Sequence, residues 1–236
     1  MEKINLFCFP FAGGSKYSYR SYQDHLPANI VLRNVEIPGR GSRANETPFT
    51  SLEQIADDIF SQIKDELYQP YAFYGHSMGG LLTYLLSQRV VANGLPKPLS
   101  LFVTGAIGPS AKYRGLIDYK LPRAEFFDQL KKLGGSPEEV LNNELLMEFF
   151  EPVLRADFEA VATYQYQQQK VMDIPISVII GDQEKATPEE AQLWERESTS
   201  PVDVAVYSGD HFFIFQHQES IIKLIKEKLN TKVILS

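Results

Sequence analysis

Cysteine, tryptophan and histidine are scarce in this 236-residue chain, which has one, one and four of them. Each scarcity removes a class of protein. A lone Cys8 cannot close an internal disulfide, and its apolar surroundings, Ile4-Asn5-Leu6-Phe7-Cys8-Phe9, mark a buried strand thiol. One cysteine and four scattered histidines, with no His-Glu-x-x-His, make no recognisable metal-ligand set. A basic excess is missing too: 23 Lys+Arg face 30 Asp+Glu, a formal net charge of −7, so the footprint of a nucleic-acid binder is absent. No apolar run approaches the roughly 18 residues of a membrane-spanning helix. The first apolar run ends at Pro10 with no cleavage-site pattern behind it. The expectation is a soluble, cytoplasmic, monomeric protein that binds neither nucleic acid nor membrane. It forms one domain over residues 1–236, long enough to hold a core without a disulfide or metal staple.

What is present is an alternation of β-rich runs and helical patterns, the signature of an α/β fold with a mostly parallel, doubly wound sheet. Strands are predicted at 4–9, 31–37, 71–74, 99–104, 174–180 and 202–206. Between the second and third, Leu52, Ile55, Ala56, Ile59, Phe60, Ile63 and Leu67 follow the spacing of one buried helix face. Ser51 and Gln54 are read as its capping box. Thr187, Pro188 and Glu190 form a second helix-start signal. Residues 112–170 break the alternation and read as an inserted helical segment. Phe126, Phe127, Leu130 and Leu133 mark one short helix, and Ser136-Pro137-Glu138-Glu139 caps another. Leu145, Leu146, Phe149, Phe150, Val153 and Leu154 continue the apolar pattern. The insertion is either extra core or a lid over a pocket, and the lid is the sharper reading because such sheets bind ligands at their carboxyl ends.

The chemistry concentrates in Tyr71-Ala72-Phe73-Tyr74-Gly75-His76-Ser77-Met78-Gly79-Gly80-Leu81. A short apolar strand, Gly-x-Ser-x-Gly and a helix-compatible run make a nucleophile elbow, with small residues two before and two after the serine so that strand and helix can approach. Ser77 is the candidate nucleophile. A serine hydroxyl needs a general base, itself oriented by a carboxylate, in the chain order serine, acid, histidine. His25 precedes the serine, and His76 neighbours it in the turn with its side chain directed away; both read as surface or packing residues. His217 begins the last helix. His211, in Ser208-Gly209-Asp210-His211 after the last strand, is the base. The acid comes from Gly181-Asp182-Gln183-Glu184: Glu184 is preferred at the loop apex, and Asp182, which suits a turn-capping role, is the alternative. For the oxyanion, Met78 N–H supplies one donor and Phe11 or Ala12 N–H, after the first strand, the other.

Taken together, the motifs resemble the type II thioesterases that accompany nonribosomal peptide and polyketide synthetases, a branch of the α/β-hydrolase superfamily. The resemblance spans Phe9-Pro10-Phe11-Ala12-Gly13-Gly14-Ser15, Ile37-Pro38-Gly39-Arg40-Gly41, Gly75-His76-Ser77-Met78-Gly79-Gly80, Leu133-Gly134-Gly135-Ser136-Pro137, Leu154-Arg155-Ala156-Asp157-Phe158 and Gly209-Asp210-His211-Phe212-Phe213. The Pro-Gly-Arg-Gly and Leu-Arg-Ala-Asp-Phe segments are the most restrictive. It implies an α/β-hydrolase fold with Ser77 as nucleophile, His211 as base, Met78 and the Phe11/Ala12 loop as oxyanion hole and residues 112–170 as lid. Family members usually carry Asp where this chain has Glu184, and a second Gly where it has Asp210. The implied reaction is hydrolysis of acyl or aminoacyl thioesters on the phosphopantetheine arm of carrier-protein domains, which removes misprimed or stalled groups. No cofactor is implied, because phosphopantetheine belongs to the substrate. A stand-alone carboxylesterase or lipase, and a medium-chain fatty acyl thioesterase, share the same chemistry and are the alternatives.

Overall fold

The computed structural model describes residues 3–111, 115–135, 141 and 143–233. Six strands, β1 (Ile4–Phe9), β2 (Ile30–Asn34), β3 (Tyr71–His76), β4 (Leu101–Thr104), β5 (Ile176–Gly181) and β6 (Val202–Tyr207), form one sheet in the order β2-β1-β3-β4-β5-β6. Every neighbouring pair is parallel. Parallel strands need crossovers, and these bring α1 (Leu52–Ile63), α2 (Met78–Ala92), α3 (Arg123–Leu133), α4 (Glu144–Ala162) and α5 (Pro188–Gln192), while α6 (Gln218–Val233) follows the last strand. The strand alternation sets the two faces: Phe7, Phe9, Tyr71, Phe73, Leu101 and Val103 pack under α1 and α2. Ile4, Leu6, Cys8, Ala72, Tyr74 and Phe102 pack with Ile221, Ile222, Ile225 and Leu229 of α6. The central strand β3 is buried along its whole length, as a strand covered on both faces must be. Cys8 lies within this core as a free thiol, and burial pushes its pKa well up.

Several boundaries differ from those expected. The second strand stops at Asn34 rather than at residue 37, because its partner β1 pairs it only through Cys8↔Asn34 and then leaves the sheet at Pro10. Val35 and Ile37 are buried without a ladder. The fifth strand starts at Ile176, after Pro175, which has no N–H to give. The third runs two residues past 74, with Gly75 and His76 registered against Val103 and Thr104. Ser51 takes an extended N-cap backbone, but its side chain makes no capping bond; burial of Leu52, Ile55 and Ala56 anchors that helix instead. Thr187 and Glu190 do form a reciprocal capping box.

Between β4 and β5 the chain builds a third apolar cluster, in which Phe126 and Leu130 of α3 meet Met147, Leu154 and Phe158 of α4. The helix α4 runs through Pro152, which forgoes one backbone bond. Its first turns do not continue the buried face expected of them: Leu145 is 78% exposed, and Leu146 and Phe149 are exposed with it. The capping segment read at 136–139 lies outside the described residues. No helix among the described residues is long and apolar enough to cross a membrane.

Candidate active site

The strand order reverses at the β1/β3 boundary, and chains leaving the two strands there turn to opposite sides of the sheet. That crevice is where open α/β sheets hold ligands. Tyr19 spans it: its hydroxyl donates to the Phe9 carbonyl at 3.1 Å and accepts the His76 N–H at 3.2 Å, joining β1 to β3 where their ladder ends. Sequence reasoning passed over this tyrosine, since only its place in space gives it the role.

Ser77 follows β3 directly and has φ 55°, the one positive φ of a non-glycine among the described residues. The strain is local and held in place by neighbours. Ser77 N–H donates to the Thr104 carbonyl at 2.8 Å, and the glycines around it admit no side chain. A Cβ on Gly75 would stand 2.0 Å from the Gly79 carbonyl oxygen, and one on Gly79 would stand 2.2 Å from that of Phe9. Gly80 is equally constrained, since a Cβ there would meet Ala106 Cβ at 2.7 Å. The turn sets Ser77 at the N-terminus of α2, with Met78 N–H at the first helical position, where backbone donors have no partner within the helix.

His211 and Glu184 arrive from the carboxyl ends of β6 and β5. Ser77 Oγ lies 2.9 Å from His211 Nε2, and His211 Nδ1 lies 2.7 Å from Glu184 Oε2. An ionised carboxylate only accepts, so Nδ1 carries the proton, and Nε2 is left to accept from the serine hydroxyl. All three side chains are nearly enclosed, with Ser77 8% exposed and the His211 and Glu184 side chains 6% and 4%. Glu184 is held from its other oxygen by the Gly181 N–H at 2.8 Å. Asp182 lies apart from the histidine: it is exposed, and its Oδ1 accepts the Gly209 N–H at 2.8 Å, tying the loop after β6 to that after β5. The longer glutamate side chain thus folds back from the third residue past β5, while the aspartate braces the histidine loop.

The other histidines have different places. His76 is buried, its Nδ1 3.1 Å from Thr104 Oγ1 and its ring 4.7 Å from that of His211. Burial, and next the nearby His211, holds its pKa well below the usual range, so it packs against the base as a neutral ring. His217 Nε2 donates to the Ser208 carbonyl at 2.8 Å, and His25 is exposed at the end of a short 3-10 helix, Arg20–His25.

The loop after β1 closes a turn through Gly14 N–H to the Phe11 carbonyl at 2.8 Å, with Gly13 at φ 77°. Gly13 N–H is taken by Asp157 Oδ2 at 2.7 Å. Ala12 N–H, in the second position, is not used by the turn. This loop forms one wall of a cavity of about 740 Å³ whose other walls include Met147, Phe150, Val153, Leu154 and Phe212. A second cavity of about 440 Å³ is lined by Glu184, His211, Lys132 and Lys185, and Leu133 borders both. Among the described residues no three His, Cys, Asp or Glu side chains converge as a metal site would require.

Comparison with known proteins adds an independent line. The thioesterase domain family model matches residues 4–229. The gramicidin S biosynthesis protein GrsT of Aneurinibacillus migulanus is 31% identical over 228 residues, covering 96% of this chain and 89% of that protein. Among solved structures, ClbQ from the colibactin NRPS/PKS pathway superposes with a TM-score of 0.93 at 28% identity, over 100% of both chains. The type II thioesterase BorB from the borrelidin biosynthetic cluster gives 0.89 at 30% identity, covering 96% of this chain and 93% of its own.

Proposed function

The chain belongs to the thioesterase domain family, in its type II branch, and from that premise we propose that it hydrolyses acyl and aminoacyl thioesters on the phosphopantetheine arm of carrier-protein domains. Its task is to clear misprimed or stalled groups from a nonribosomal peptide or polyketide assembly line. The observation that carries the reading is the unbroken relay from Ser77 Oγ through His211 to Glu184, at 2.9 and 2.7 Å, with His211 and Glu184 lining one cavity and the Phe11/Ala12 loop walling another.

Ser77 Oγ attacks the thioester carbonyl as its proton passes to His211 Nε2, and Glu184 stabilises the imidazolium that forms. The negative charge that develops on the carbonyl oxygen is met by Met78 N–H and, from the Phe11/Ala12 pair, by Ala12 N–H at the second position of the turn after β1. Collapse of the tetrahedral intermediate breaks the carbon–sulfur bond, and the pantetheine sulfur leaves with the proton from His211. Water then gives a proton to His211 and attacks the acyl-enzyme, which releases the acid and restores Ser77. The acyl group occupies the apolar cavity. The pantetheine arm lies in the second cavity, beside His211, because the leaving sulfur must be near the acid that protonates it. The insertion acts as lid through its described helices, α3 bordering both cavities and α4 lining the apolar one. The chemistry needs no cofactor of its own, since the phosphopantetheine arrives with its carrier.

The test compares hydrolysis of acetyl and longer acyl groups from a phosphopantetheinylated carrier with that of the matching acyl-CoA and p-nitrophenyl esters. We expect preference for the carrier-bound thioester, with Ser77→Ala at background. Faster ester cleavage without carrier preference would overturn the substrate assignment and leave a carboxylesterase.

A further inference from the structure

Two segments that single out this family, Pro38-Gly39-Arg40-Gly41 and Leu154-Arg155-Ala156-Asp157-Phe158, take no part in the relay, yet they meet inside the molecule. Arg40 Nη1 and Nη2 donate to Asp157 Oδ2 and Oδ1, both at 2.7 Å, in a bidentate pair. Both side chains are buried, Asp157 at 0% exposure. The pair has two further bonds, and both go to the turn after β1: Asp157 Oδ2 accepts Gly13 N–H at 2.7 Å, and Arg40 Nη1 donates to the Gly14 carbonyl at 2.9 Å. Three residues before Asp157 on the same face of α4, Leu154 closes on Gly13 so tightly that a Cβ there would stand 2.5 Å from its Cδ2.

Stability alone is a weak reason to keep such a pair, because desolvating two charges costs about what their attraction returns, and apolar residues of similar volume often serve as well or better. Apolar residues could not, however, grip the N–H of one turn residue and the carbonyl of the next. We propose that Arg40 and Asp157 are positioning residues for the oxyanion hole. They clamp Gly13 and Gly14 so that the intervening geometry presents Ala12 N–H to the reacting carbonyl oxygen, and they tie that turn to α4, which lines the acyl cavity. The inference rests on the assignment of Ser77 as nucleophile and of the loop after β1 as oxyanion donor.

The test uses the full chain in two variants. Asp157→Asn keeps the shape and weakens the clamp, and Arg40→Met/Asp157→Leu removes both bonds to the turn without leaving an unpaired buried charge. Each is assayed with an acyl-N-acetylcysteamine thioester for kcat and KM, titrated with an alkylboronic acid that forms a tetrahedral adduct on Ser77, and melted. We expect kcat to fall about 10- to 100-fold, as for a displaced oxyanion donor. KM should stay within about threefold, and boronate affinity should fall in step with kcat. A role confined to stability would lower Tm and spare both the rate and the boronate. A folded double variant with wild-type kcat and boronate affinity overturns the clamp, as does a loss confined to KM. Should wild type bind boronate but leave the thioester intact, the substrate reading fails while the boronate comparison still decides the clamp. A wild type that binds neither overturns both.

Discussion

Glu184 carries its weight through one methylene. Placed three residues past β5, it must turn back to reach His211 while its other oxygen accepts Gly181 N–H, and the extra length lets both bonds close at once. Glu184→Gln keeps the size but lets an amide N–H face Nδ1, which favours the wrong histidine tautomer. We expect kcat to fall roughly 10³- to 10⁴-fold with the fold intact, measured by steady-state kinetics beside a thermal melt. A fall below tenfold would mean that the carboxylate does not orient the base. Ser77 and His211 were legible in the chain from motif and order, and the acid was narrowed to Glu184, the preferred residue, or Asp182. That two hydrogen bonds of 2.9 and 2.7 Å join the three side chains was not, because it depends on where β3, β5 and β6 end relative to one another.

At the scale of elements, the junction of β3 and α2 was readable almost in full, because its demands are steric and local. Gly75 and Gly79 follow from the need for strand and helix to approach, and the distances to neighbouring carbonyls leave no room for a methyl group. Gly79→Ala is expected to destabilise by about 3 kcal/mol or more, since the Cβ would displace the Phe9 backbone rather than a flexible side chain. The measurement is urea unfolding, and a change under 0.5 kcal/mol would show that the turn relaxes. The start of α4 was misread because amphipathic spacing does not say whether a partner lies opposite: Leu145 and Phe149 keep the helical pattern and face outward. The second strand was overextended for a similar reason, Val35 and Ile37 being buried in the core cluster with α1 rather than paired in the sheet.

For the molecule as a whole, folding stability is linked to pH through Glu197. This carboxyl is buried near Tyr84 and Tyr166, and burial raises its pKa above the ordinary 4.5. The folded state therefore binds the proton more tightly than the unfolded state. The associated stability is present below about 4.5 and is lost as pH rises through the folded value. Glu197→Gln removes that dependence, so the variant should melt higher than wild type at neutral pH and the difference should shrink as the pH approaches 4.5. Melts across that range check it, and a gap that widens on acidification would reverse the sign.

The sequence by itself determined what short-range sterics and periodicity control: the parallel α/β architecture, the glycine-framed serine turn, the Thr187 capping box and the residue types available for a relay. Tertiary structure decided which groups meet. It put Glu184 on His211 and Asp182 on Gly209, set Tyr19 across the gap between β1 and β3, and joined Arg40 to Asp157 over a separation of 117 residues. A hydrogen bond needs its atoms within a few tenths of an ångström. Local patterns specify elements, and only their packing fixes the distances between residues so far apart along the chain.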